Sequence, residues 1–131
     1  MPKKFLIGSK EENLRKKMTK QIFLIVVLIL FSQAGAWIQQ FAQVRYEWFR
    51  NNSLITTVLL GILVSFGFVE AAKLGYNLWE SSWKVRLLQF SIGVIVFTFL
   101  SWFFLDEGMN AKTLTCIFLS FCIIGIQIFW K

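Results

Sequence analysis

The sequence predicts an all-α fold: an integral membrane four-helix bundle with both termini in the cytoplasm. Three observations carry that prediction. Four long intervals hold no charged residue: Gln21 to Val44 (24 residues), Asn51 to Val69 (19), Leu87 to Leu105 (19) and Thr113 to Trp130 (18). A helix needs roughly 20 apolar residues to cross a hydrocarbon core of ~30 Å, and all four intervals fall within the usual range. Runs such as VVLILF, GILVSF and GVIVFTFL are apolar all round, whereas helices of a soluble bundle carry a polar stripe. Finally, the charge is lopsided. Four spans place both termini and the middle connector on one side, where eleven of the fourteen basic residues lie, against Arg45, Arg50 and Lys112 on the other. The positive-inside rule assigns the richer side to the cytoplasm. The expected location is therefore an inner or plasma membrane, with the lipid bilayer as first partner.

Residues 1–20 read as a retained basic cytosolic tail, and 21–131 as the membrane domain, with spans at about 21–42, 53–75, 86–105 and 113–130. The first apolar run is too long for a signal-peptide core and lacks a small-residue cleavage site. Ser9-Lys10-Glu11-Glu12 is a capping-box pattern, which predicts a helix start at Ser9. Leu14, Met18 and Ile22 follow at i, i+4 and i+8, as in a short helix lying on the inner surface; a disordered tail is the alternative. No aromatic interleaving or RNA-binding motif accompanies the lysines, so headgroup attraction is preferred to nucleic acid.

Span one changes from QIFLIVVLILF to the amide-rich SQAGAWIQQFAQ. Gln33, Ala36, Gln40, Gln43 and Glu47 recur at spacings of three and four and so share a face. An amide in lipid leaves polar groups unpaired at a cost of a few kcal/mol, so this face is expected to look inward. Gln39, Gln40 and Gln43 also read as markers of the outer interface, and an interhelical hydrogen bond would satisfy Gln33 without a ligand. Trp37 lies beside them as a packing residue or a pocket wall. The other five tryptophans fall at span ends, as in interfacial aromatic belts.

Span two contains the most informative pair. Glu70 and Lys73 lie ~26 and ~30 Å along it from Ser53, near the predicted cytoplasmic boundary. An intramembrane acid is costly and marks a candidate site for ion or substrate. At i and i+3 the two also read simply as an ion pair near the headgroups, with the lysine snorkelling outward. Span three offers Gln89, Gly93 and Ser101 as polar or small positions. Span four carries the small pair Cys116 and Ser120, suited to close helix contact. The only proline is Pro2, so no span is kinked by proline.

With no histidine in the chain, imidazole metal sites and histidine-dependent catalysis are excluded. Cys116 and Cys122, six apart on one helix, point to different faces and do not bridge. No constellation for chemistry is present, so neither an enzyme, a metal nor a cofactor is expected.

The segments SFGFVEAAKLGYN, QFSIGVIVFTFLSWFFLDEG and IIGIQIFWK resemble the small four-span members of the drug/metabolite transporter superfamily. Within it, an uncharacterised small-protein branch related to the small multidrug resistance proteins is nearest. FFLDEG is similar to the family's aromatic-Leu-Gly-Glu close of span three, with Asp106 in place of the glycine. The resemblance implies four helices, often dimeric, exporting small hydrophobic or cationic compounds by alternating access. The multidrug proteins carry an essential carboxylate in span one; this chain has none there, which leaves Glu70 as the intramembrane acid. The strong charge bias further implies one fixed orientation rather than dual insertion.

The expected function is a small membrane transporter of hydrophobic, cationic or lipid-linked molecules. Glu70 and Lys73 supply its charge, Gln33 and Gln40 polar contacts, and Trp37 a stacking wall. The alternative is a non-transporting subunit or scaffold, and in either case a homo- or hetero-oligomer through the spans is expected. A polar cavity reaching Glu70 favours the first reading, and a dry bundle favours the second.

Overall fold

A computed structural model describes the chain from Pro2 to Trp130, with side chains from Leu6. The side chains of Lys3 and Lys4, and the whole of Lys131, which enter the charge count, lie outside the described residues. Five helices follow in order: α1 (Pro2–Arg45), the short α2 (Glu47–Asn51), α3 (Ser53–Trp79), α4 (Ser82–Leu105) and α5 (Ala111–Phe129). Four of them are long and apolar enough to cross a membrane. Among the described residues there is no strand.

At 44 residues, α1 is ~66 Å long, about twice a bilayer span. It runs straight through Ser9, so the capping-box pattern there does not mark its start. Downstream of Ser9 the helix continues into the apolar run for a local reason. From Lys10 to Gln21 there is neither glycine nor proline, and strong helix formers dominate. Glu12 and Lys16 add an i,i+4 ion pair of 2.8 Å, and the Thr19 hydroxyl donates back to the Arg15 carbonyl. The tail and the first apolar run are thus one rod.

The helices stop where their capping chemistry requires. Tyr46 is extended, which ends α1, and the Arg50 guanidinium donates to the carbonyls of Gln43 and Val44 that the ending leaves free. Glu80 and Asp106 close α3 and α4 in the left-handed region, at φ 51° and 56°. Non-glycine residues take that conformation reluctantly; the short polar side chains of Asn and Asp tolerate it best, which fits Asp106 and not Glu80. Ser81 then caps α4 by accepting from the Lys84 amide, and the Asn110 Oδ1 caps α5 by accepting from the Thr113 amide at 2.9 Å. α3 runs to Trp79, ten residues past the charge-free interval that ends at Val69, and α4 begins at Ser82, five residues before the one that starts at Leu87.

α1 packs against α3 and α4, α3 also touches α4, and α5 approaches α4 alone. The end of the bundle holding Arg45, Ser53, Leu105 and Ala111 is called upper here, and the end holding Trp79, Ser82 and Phe129 lower. In the lower half Ile25, Ile29, Ala71, Leu88 and Ile92 form the buried core, with Ile124 and Ile128 of α5 reaching it. Small residues let α1 and α3 approach closely: a Cβ on Gly67 would collide with Ser32, and one on Gly35 would lie 2.7 Å from Val64.

Candidate functional site

Above the core, the amide and indole side chains of α1 are used to fasten helices. Gln33 Nε2 donates to the Gln89 carbonyl of α4 at 2.9 Å, with its amide lying over Gly93, where a Cβ would leave it no room. The buried Gln89 side chain in turn donates to the Phe68 carbonyl of α3 at 3.5 Å. Two glutamines therefore link three helices, and both amides find carbonyl partners inside the bundle. One turn higher, Trp37 is buried and its indole N–H donates to the Ser101 hydroxyl at 3.0 Å. Its ring sits 5.6 Å from that of Phe104 and 6.4 Å from that of Phe41. At the upper end Arg45 donates to the Phe104 carbonyl and pairs with Asp106 at 3.1 Å. These contacts run in order along α1 and α4, so the two helices are parallel neighbours.

The remaining residues singled out in the sequence lie elsewhere. Gln40 is exposed, and its backbone carbonyl accepts from Gln43 within α1. Gln39, its neighbour, reaches across to the Thr57 carbonyl at 3.3 Å. Glu70 lies on the flank of α3, one position from the core residue Ala71, and pairs with Lys73 at 2.9 Å. Its side chain is 32% exposed and that of Lys73 64%. Among the described residues neither shares a hydrogen bond or ion pair with Gln33, Trp37 or Gln40. The structure thus brings Gln33 and Trp37 onto one seam, keeps Glu70 with Lys73, and leaves Gln40 outside both.

A groove opens between α3 and α4. Its inner part, about 370 Å³, is lined by Gln33, Phe68, Gln89, Phe90, Gly93 and Phe97 among others. Its outer part, about 450 Å³, is lined by Ala72, Tyr76, Trp83 and Val85 among others. Arg86 and Gln89 line both parts. The two parts follow one another from the lower end, beside the α3–α4 turn, toward Gln33 in the apolar run of α1. Glu70, Lys73, Trp37 and Gln40 line neither part.

No protein-family model, curated protein or solved structure matches this chain. The site is therefore described by its own chemistry. Its walls are aromatic and aliphatic, its inner end offers two amides, and its outer half carries one guanidinium. Among the described residues no group of three or more acidic or cysteine side chains converges to hold a metal ion. Cys116 and Cys122 are free and exposed on α5.

Sequence reasoning passed over Arg86 and Gln89 as site residues. Gln89 stood out as an amide in an otherwise apolar run, the same signal that drew attention to Gln33. Arg86 entered as a topological charge. Its place in a groove depends on the angle at which α4 leaves the α3–α4 turn, which sequence spacing does not encode.

Proposed function

We propose that the chain is an integral membrane protein with both termini and the α3–α4 turn on the cytoplasmic face. On this reading it binds and moves amphipathic or lipid-linked molecules along the lateral groove between α3 and α4. The single observation that carries the proposal is the groove itself, which leads from Arg86 at the lower end to Gln33 and Gln89 in the interior. A molecule entering from the bilayer keeps its polar end beside Arg86 and its apolar part against Phe90 and Phe97. No central pore is needed, which suits four helices whose core is packed with Ile25, Ile29, Leu88 and Ile92. Apolar length and charge bias support the orientation.

Glu70 is not the coupling group in this proposal. Its carboxylate is paired with Lys73 and lies away from both parts of the groove. The test is reconstitution of the full chain in liposomes carrying a fluorescent phospholipid in both leaflets, followed by chemical quenching from outside. Faster loss of inner-leaflet fluorescence than in protein-free vesicles is expected; equal rates contradict transport.

A second reading, a membrane subunit that moves nothing, is favoured by the interhelical bonds of Gln33, Trp37 and Gln89. These tie up the polar face that a permeation path would use, and Glu70, the acid that a polar cavity is expected to reach in a transporter, lines neither part of the groove. That reading predicts equal fluorescence rates together with stoichiometric cross-linking to another membrane protein.

A further inference from the structure

Beyond the N-terminal tail the chain carries three arginines, and two of them are occupied. Arg45 holds Asp106 and the Phe104 carbonyl, and Arg50 holds the last carbonyls of α1. Arg86 is different. Among the described residues it makes no ion pair or hydrogen bond, and Glu70, the acid in the same half of α3, is taken by Lys73. Yet Arg86 lines both parts of the groove, in the first turn and a half of α4. Around it the exposed rings of Tyr76, Trp83, Phe90 and Phe97 line the same groove. Trp83, Arg86, Phe90 and Phe97 recur at helical spacings along one face of α4, so cation and rings form a stripe.

We infer that the groove is a binding site for an anionic lipid, with Arg86 holding the headgroup and Phe90 and Phe97 bedding an acyl chain that ends near Gln33. This rests on the groove reading of function and adds the sign of the ligand's charge. The argument is one of complementarity. A guanidinium without a protein partner selects a phosphate or carboxylate, which it can grip through two parallel N–H groups. The apolar trough leading away from it fits a hydrocarbon tail, and a free anion would leave that trough unfilled. The Gln33 amide fills the space over Gly93 and so closes the inner end of the trough. An organic cation, by contrast, would meet Arg86 as a like charge in both parts.

The test is native mass spectrometry of the full chain in detergent, titrated with dioleoyl phosphatidylglycerol, dioleoyl phosphatidylcholine and, as a headgroup without tails, glycerol phosphate. Wild-type protein is expected to retain phosphatidylglycerol at least fivefold better than phosphatidylcholine, and glycerol phosphate is expected not to displace it. Arg86→Gln should remove about fivefold of that preference, Arg86→Lys should keep most of it, and Lys84→Gln, which removes an equal charge two residues away, should leave it intact. Helix content and monodispersity of each variant check its fold. No preference in the wild type, or equal losses in Arg86→Gln and Lys84→Gln, overturns the inference by reducing it to general surface charge. Full displacement by glycerol phosphate overturns it by removing the acyl chain from the site. If fluorescent phospholipids move across liposomes but the Arg86-dependent preference is missing, transport stands and this inference falls. If the preference holds and nothing moves, the site stands and transport falls.

Discussion

α1 and α5 are almost equally apolar, with most hydrophobic windows of mean hydropathy 2.1 and 1.9, yet the structure treats them differently. In α1, 22% of that window is buried; in α5 only 6%, and Ser120 is the sole buried residue among those described. The difference teaches that apolarity decides whether a helix suits a bilayer, and not whether it packs. Lipid tails are as apolar as leucine, so burying one more leucine between helices gains little there. α1 instead has Ser32, Gly35 and the facing Gly67, which allow close approach, and Gln33 and Trp37, which bond across to α4. α5 has Gly125, beside which an added Cβ meets nothing within 4 Å, and a Ser120 hydroxyl bonded within its own helix.

The sharpest way to break this comparison is to place the same side chain on both helix faces. Gly67→Leu forces a side chain into Ser32 and should destabilise the folded bundle by about 1–3 kcal/mol, or block folding, since overpacking in a tight contact costs that much. Gly125→Leu should fall within about 0.5 kcal/mol of wild type, as changes away from packed features do. Reversible unfolding in mixed micelles, followed by helix content, reads both; equal losses would mean that α5 is packed as tightly as α1.

Hydrogen bonds give the next effect in size. A double-mutant cycle on Trp37→Phe and Ser101→Ala should return a coupling of about 0.6–1.7 kcal/mol, the range of side-chain bonds between membrane helices. Ser120→Ala, on α5, should cost only a few tenths of a kcal/mol because its bond stays inside one helix. A cycle with no coupling would mean that the α1–α4 seam is held by apolar packing alone.

Smallest is the Arg45–Asp106 pair at the upper end, where the two side chains are 50% and 80% exposed. Asp106→Asn should cost less than about 1 kcal/mol, and the loss should shrink as salt is raised from 0.05 to 0.5 M. A larger, salt-independent loss would show that Arg45 depends on Asp106 to hold the Phe104 carbonyl.

Much of the fold was legible in the sequence because its signals are local. Charge-free length marks each long helix. The i,i+3 spacing of Glu70 and Lys73 likewise fixes their pairing without tertiary information. The site was less legible. Gln33 was recognised as an amide needing a partner, but that partner is a backbone carbonyl, and every residue carries one. Trp37 read as a packing residue or a pocket wall; it packs, and the partner of its N–H, Ser101, lies 64 residues on. Glu70 drew attention as an acid among apolar residues. The groove instead formed around Arg86, whose charge had a sufficient explanation in membrane orientation. At Ser9 the local capping signal does not set a boundary, since α1 runs through Gly8 and Ser9 without a break.

The central claim is that traffic follows the α3–α4 groove and not the Glu70 carboxylate. The most direct measurement is phospholipid movement across liposomes by Glu70→Gln and by Ala72→Trp, which fills the outer part of the groove. The account predicts a wild-type rate for Glu70→Gln and a rate no faster than protein-free vesicles for folded Ala72→Trp. Loss of movement in Glu70→Gln with full movement in Ala72→Trp would contradict it.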